Sequence, residues 1–221
     1  MMSFRPPIRF YAASLRSSCL LVATLALLTA CANEPKEEAI PPGSQVLALG
    51  DSLTVGTGVS PEEAWPTLLA SKTGWTVTNG GISGNTSSDA LQRLPSLLER
   101  HNPVLVLVTL GGNDMLRRLP QEETIANLNK MIVLIKTHGA KPVLLATPQP
   151  SIAGAIFQTL SAAEFYRKVT EEQQIPLIED AIADVLSDPL LKVDQLHPNA
   201  AGHALLVEKI FEELKAIGYI R

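Results

Sequence analysis

From Gln45 onward, short apolar runs alternate with longer amphipathic segments. Val46–Leu49, Trp75–Thr78, Val104–Leu110, Pro142–Ala146 and Ile175–Ile178 are brief and apolar or β-branched, the pattern of strands. Val104–Leu110 is apolar almost throughout, as a strand covered on both faces would be. Between these runs lie Glu62–Ser71, Ser87–Arg100, Glu122–Thr137, Ala162–Gln173 and Asn199–Ala216, all of helical length. In the second of them Leu91, Leu94, Leu97 and Leu98 fall at helical spacing. Strand–helix alternation predicts an α/β fold: a three-layer α/β/α sandwich with a mostly parallel five-stranded sheet. Such sheets bind ligands beyond the carboxyl ends of their strands, so the loops there are where chemistry is expected. Residues 45–221 suit one domain with a full core, and no internal repeat or low-complexity tract interrupts them.

The pattern differs before Gln45. A basic stretch ends at Arg16, and an apolar run, Cys19–Leu28, follows, broken only by Thr24. That run is shorter than the roughly 20 residues a membrane span needs. Residues 1–30 therefore read as a signal segment rather than as fold. Leu28-Thr29-Ala30-Cys31 resembles a bacterial lipobox. The resemblance implies that Cys31 becomes the first mature residue, carries lipid and anchors the body to a membrane of the cell envelope. Ala32, rather than Asp, then leaves outer-membrane sorting open. Residues 31–44 are charged, Pro-rich and poor in large apolar groups, and read as a flexible tether.

Composition narrows the function. Removing the three arginines before position 33 from 18 basic residues leaves fifteen against 22 acidic ones, a formal −7. An acidic body repels polyanions, so nucleic acid is excluded as a partner. The two cysteines are Cys19 and Cys31; one leaves with the signal and the other is blocked by lipid, so neither a domain disulfide nor a thiolate nucleophile is expected. His101, His138, His197 and His203 have no metal-ligand spacing, and no metal or organic cofactor is called for. His101 and His138 fall near helix ends and read as solvated; His203 reads as helix surface or core. Trp65 and Trp75 read as core aromatics.

Four strings carry candidate chemistry. Gly50-Asp51-Ser52-Leu53-Thr54 follows the first strand, where a turn can present the Ser52 hydroxyl at the sheet edge. A neutral serine needs a base within hydrogen-bond reach. Asp194-Gln195-Leu196-His197-Pro198-Asn199 offers one: Asp and His three apart share a turn, so the carboxylate can orient the imidazole. Gly111-Gly112-Asn113-Asp114 follows the third strand, and an Asn amide can donate to an oxyanion. Asn79-Gly80-Gly81-Ile82-Ser83-Gly84-Asn85-Thr86 follows the second and can aim the Gly84 N–H at the same place. Singly, each also fits a plain turn, a flexible loop or a helix cap. Together they supply the parts of acyl transfer at loops that the sheet gathers on one edge.

These strings resemble the SGNH hydrolase (GDSL esterase) family over residues 45–215. The family's four blocks supply Ser, Gly, Asn and His in chain order. Here they match Ser52, Gly84, Asn113 and the Asp194–His197 pair. Ala64-Trp65-Pro66, Arg93-Leu94-Pro95 and Leu110-Gly111-Gly112-Asn113-Asp114 look like the periplasmic arylesterase, thioesterase and lysophospholipase branch. The resemblance implies the flavodoxin-like SGNH fold and a serine esterase. It makes Ser52 the nucleophile, His197 the base and Asp194 its orienter. The backbone N–H groups of Ser52 and Gly84, with the Asn113 amide, form the oxyanion hole. Asp51 is read as a brace for the oxyanion loop. Asn79-Gly80-Gly81-Ile82 is richer in glycine than that branch's pattern, which implies a looser oxyanion loop here.

Substrate is less legible. Met115, Leu116 and Ile152–Phe157, the last in a Pro- and Gly-punctuated loop, can line an acyl groove for short or medium chains. The expected substrate is a small acyl ester, with thioesters and lysophospholipids in range. An O-acetylesterase of an envelope glycan uses the same residues, as does an acyltransferase. A non-catalytic glycan-binding lipoprotein is the reading from another class.

Overall fold

Five strands, β1 (Gln45–Gly50), β2 (Thr76–Gly81), β3 (Leu105–Thr109), β4 (Lys141–Leu145) and β5 (Leu177–Ile178), make one sheet. Their order is β2-β1-β3-β4-β5, and every pairing is parallel. The structure is a computed structural model that describes residues 1–2 and 37–221, without the side chains of Ala155 and Phe157. The expected signal segment, Cys31 and the start of the tether lie outside the described residues.

Helices cover both faces because strand side chains alternate. Val46, Ala48, Leu105, Leu107, Val143 and Leu145 point into one core. That core is closed by α2 (Trp65–Thr73), α8 (Ala181–Ser187) and α9 (Ala200–Ile217). Leu47, Leu49, Val106, Val108 and Leu144 point into the other. It is closed by α3 (Ser87–His101), α5 (Gln121–Thr137) and α7 (Phe165–Gln173). Three short helices, α1 (Ser52–Val55), α4 (Gly112–Leu116) and α6 (Ile152–Phe157), sit in the loops after β1, β3 and β4. Trp65 and Trp75 are buried in the first core, and His203 is fully buried against the Trp65 backbone.

Several boundaries shift for local reasons. α2 begins at Trp65, not Glu62, with Pro66 pre-set for its first turn. The Glu63 carboxylate instead accepts the Ser60 N–H at 3.0 Å. α7 begins at Phe165, because Ala162 is used in a bridge to Pro148. The tether is shorter than expected. Glu37 N–H donates to the Ile217 carbonyl, Ile40 N–H to Tyr219 and Gly43 N–H to Gly74. Ile40 packs on the first core, and Glu37 pairs with Lys141. Glu37–Arg221 is one compact unit that contains the whole sheet and both cores. Such a unit carries what a domain needs to fold alone.

Candidate active site

The nucleophile candidate is placed by a cap. Asp51 is the N-cap of α1, and its Oδ1 accepts the Leu53 N–H at 3.0 Å. Ser52 thus opens α1 directly beyond the carboxyl end of β1. The base candidate is placed by a tight loop before α9. Lys192 bridges to Pro198, Val193 N–H donates to the His197 carbonyl at 2.9 Å, and Asn199 caps α9 through Gly202 N–H. The two residues, 145 apart in sequence, meet: His197 Nε2 lies 2.9 Å from Ser52 Oγ.

Asp194 completes the row. His197 Nδ1 lies 2.9 Å from its Oδ2 and 3.0 Å from its Oδ1. Oδ1 also accepts the N–H groups of Leu196 and His197. Burial acts to raise the Asp194 pKa, but the His197 ring and these two N–H groups outweigh it and hold the carboxyl below its usual range. An ionised Asp194 on Nδ1 fixes the tautomer that leaves Nε2 free to accept the Ser52 proton.

Facing Ser52 are the oxyanion candidates. Gly84 has φ +80, a left-handed conformation that L side chains rarely adopt. The backbone N–H groups of Ser52 and Gly84 find no protein acceptor among the described residues. Asn113, in α4 beyond β3, differs from expectation. Its Nδ2 donates to Asp51 Oδ2 and to the Asn85 carbonyl, each at 3.0 Å, so both amide hydrogens are already used. It can serve an oxyanion only by exchanging or sharing one. Trading a neutral carbonyl for an anionic oxygen is favourable.

The expectation of a loose oxyanion loop is not met. Asn79, Gly80 and Gly81 belong to β2, paired in register with Ala48, Leu49 and Gly50. α1 packs on that end of β2 so closely that a Cβ on Gly81 would lie 2.5 Å from the Val55 nitrogen. Glycine is there to admit α1, and the Asn79 side chain ties the two together by donating to the Thr54 carbonyl at 2.9 Å.

A groove of about 1060 Å³ runs from this centre. Met115, Leu116 and Ile152 line it, with Pro148, Leu160 and Phe165. Ile152–Phe157 is helical rather than a loop, with Ser151 capping it through Gly154 N–H. The Phe157 side chain lies outside the described residues.

Sequence reasoning missed the groups that brace these loops. Asp114, buried, accepts Ser87 N–H and the hydroxyls of Ser87 and Thr124. It thereby ties the Asn113 turn to α3 and α5. Tyr166 donates to the Leu110 carbonyl at 2.6 Å and lies 2.7 Å from Thr147 Oγ1. Burial, resisted by the Thr147 contact, pushes its pKa up, so it stays a neutral donor. Arg117 donates to the Gly84 carbonyl at 2.7 Å. Of these three, only Asp114 sat inside a string already singled out, and its polar side chain beside an apolar strand was the available signal.

A parallel α/β sheet with a serine, histidine and carboxylate in one hydrogen-bonded row, facing free backbone N–H groups, defines the class of serine hydrolases. Residues 48–205 match the GDSL-like Lipase/Acylhydrolase family, and the chain belongs to it. It is 38% identical over 176 residues to an arylesterase of Vibrio mimicus, covering 77% of this chain and 88% of that one. It is 34% identical over 177 residues to thioesterase 1/protease 1/lysophospholipase L1 of Escherichia coli K12, covering 78% and 84%. The solved structure of TesA superposes with a TM-score of 0.70 at 30% identity, covering 79% of this chain and 99% of that one. The protein is thus an SGNH hydrolase that acts on ester bonds, next to the arylesterase and thioesterase I branch.

Proposed function

We propose that Ser52 attacks the acyl carbonyl while His197 takes its proton, giving an acyl-enzyme and releasing the alcohol with that proton. Water then attacks, again through His197, and frees the acid. Asp194 orients the imidazole in both halves. The Ser52 and Gly84 N–H groups, joined by Asn113, carry the developing negative charge. The observation that supports this reading most directly is the 2.9 Å contact between Ser52 Oγ and His197 Nε2.

The substrates we propose are aryl and short-to-medium acyl esters, with thioesters and lysophospholipids in range. The groove volume and its apolar wall of Met115, Leu116 and Leu160 support an acyl chain there. The similarity to an arylesterase and to a thioesterase/lysophospholipase supports the same classes. Kinetics on a nitrophenyl ester series from acetyl to dodecanoyl test this. kcat/KM should peak at a short or medium chain, and Leu116→Asp should lower it for the longer chains more than for acetyl. Activity confined to acetyl would instead assign an O-acetylesterase.

We further propose that Cys31 carries the lipid that holds the body in the cell envelope. The string Leu28-Thr29-Ala30-Cys31 supports it. Labelled palmitate should enter the wild type in cells and not Cys31→Ser; equal labelling would refute the anchor.

A further inference from the structure

The string Arg93-Leu94-Pro95 has no part in the chemistry above, yet Arg93 touches the ends of β1 and β2 and the loop that carries Gly84. Arg93 lies on α3, half-buried, and makes no ion pair among the described residues. Its three nitrogens donate to three separate segments. Nη2 reaches the Gly50 carbonyl at 3.0 Å, Nη1 the Gly80 carbonyl at 2.6 Å and Nε the Asn85 Oδ1 at 2.9 Å. Gly50 ends β1 two residues before Ser52. Gly80 is the penultimate residue of β2, and Asn85 directly follows Gly84.

Asn85 passes the connection on. While its side chain is held by Arg93, its carbonyl accepts from Asn113 Nδ2 at 3.0 Å. All three oxyanion donors are thus indexed to one planar cation: Ser52 through Gly50, Gly84 through Asn85, and Asn113 through the Asn85 carbonyl. Burial lowers the Arg93 pKa, against the pull of nearby Asp89, so the guanidinium is partly desolvated rather than a solvated surface charge. A guanidinium holds its N–H groups in fixed directions; an ammonium is a point charge and cannot hold three divergent carbonyls in one plane.

We propose that Arg93 is a positioning residue for the oxyanion hole, setting the separation of the Ser52 and Gly84 N–H groups and the aim of Asn113. It touches no reacting atom. This inference rests on the oxyanion assignment of the proposed function and adds the group that holds it in register.

The test compares Arg93→Lys and Arg93→Gln with wild type on a water-soluble nitrophenyl ester. Activity is expressed per active site titrated by exhaustive phosphonylation. Losing the register should cost kcat roughly 10²-fold, comparable to losing one oxyanion donor. KM should stay within about twofold, since ground-state contacts are unchanged. The second-order rate of phosphonylation should fall in parallel with kcat, because that reaction also builds charge on an oxygen in the hole. Lys should rescue neither quantity, although it keeps the charge. A purely structural role would lower the unfolding midpoint and the number of titratable sites while leaving kcat per site intact. Folded Arg93→Lys with kcat per site within about threefold of wild type would overturn the inference, as would a loss expressed only in KM. Ser52→Ala separates the two levels: if it stays active, the esterase mechanism itself fails, whereas inactive Ser52→Ala beside active Arg93→Lys removes only the role of Arg93.

Discussion

Asp51 is buried where a carboxylate is unfavourable. Burial raises its pKa to about 6, against the Leu53 N–H, the nearby His197 and the Asn113 amide, all of which favour the charged form. For a folded pKa above the ordinary value of 3.8, the protonated form stabilises the fold at low pH. That stabilisation is complete below about pH 4 and is lost as pH rises through about 6. A rise of about two units corresponds to about 3 kcal/mol. Asp51 therefore weakens the fold at neutral pH while its Oδ2 holds the Asn113 amide. Denaturant unfolding across pH should show wild type losing about 3 kcal/mol relative to Asp51→Asn between about pH 3.5 and 7. The same variant should lose activity at pH 7, because an amide at position 51 cannot accept from both Leu53 and Asn113 without presenting a donor to one of them. A pH-independent stability difference would contradict this. Asp51 was legible as a brace because it sits inside a string with a nucleophile candidate. The occupation of both Asn113 hydrogens was not, since nothing in the sequence says which acceptor an amide finds.

Among the elements, the contact between α2 and α9 holds the end of the molecule that carries His197. Ala64 gives α2 no side-chain cap, and His203 supplies one from α9: the Trp65 N–H donates to its Nδ1 at 3.3 Å. The ring must be neutral to accept, and its Nε2 is buried without a partner among the described residues. Burial depresses the His203 pKa to about 4, with Glu63 opposing and His197 adding to the fall. A depressed folded pKa contributes stability that is present above about 6.5 and lost as pH falls through about 4. His203→Gln keeps an acceptor without a titration in that range, so its acid-unfolding midpoint, followed by circular dichroism, should move to lower pH. An unchanged or higher midpoint would show that this cap does not limit acid stability. The long helices were readable because several turns repeat the apolar stripe. α1, α4 and α6 were not, because four to six residues give no period to read. β2 was cut short at Thr78 because Asn79-Gly80-Gly81 carries turn chemistry, whereas here the glycines make room for α1.

At the scale of the whole molecule, the strand order reverses direction between β1 and β3, and Ser52 and Asn113 lie beyond those two strands. A crevice opens at such a switch point, which is why residues far apart in sequence converge there. Glu37, Ile40 and Gly43 bind residues before β2 and at the start of β4, so the chain enters the body at the amino ends of the strands, remote from Ser52. The candidate nucleophile, the candidate base with its orienter and the candidate donor loops were legible in sequence because each sits in a short string directly after a strand or before a helix. The Arg93 clasp and the Asp114 tie were not, since their partners lie anywhere from 8 to 43 residues away, with no fixed spacing.

In the mechanism proposed above, His197 makes Ser52 a nucleophile. Incubation with a fluorophosphonate followed by peptide mass spectrometry tests it most directly. One phosphonyl group should appear on Ser52 in wild type. It should be absent from Ser52→Ala, and in folded His197→Ala it should form at least roughly 10³-fold more slowly, as expected when the base is removed. A well-folded wild type that takes no label, or His197→Ala labelled at Ser52 as fast as wild type, would contradict that mechanism.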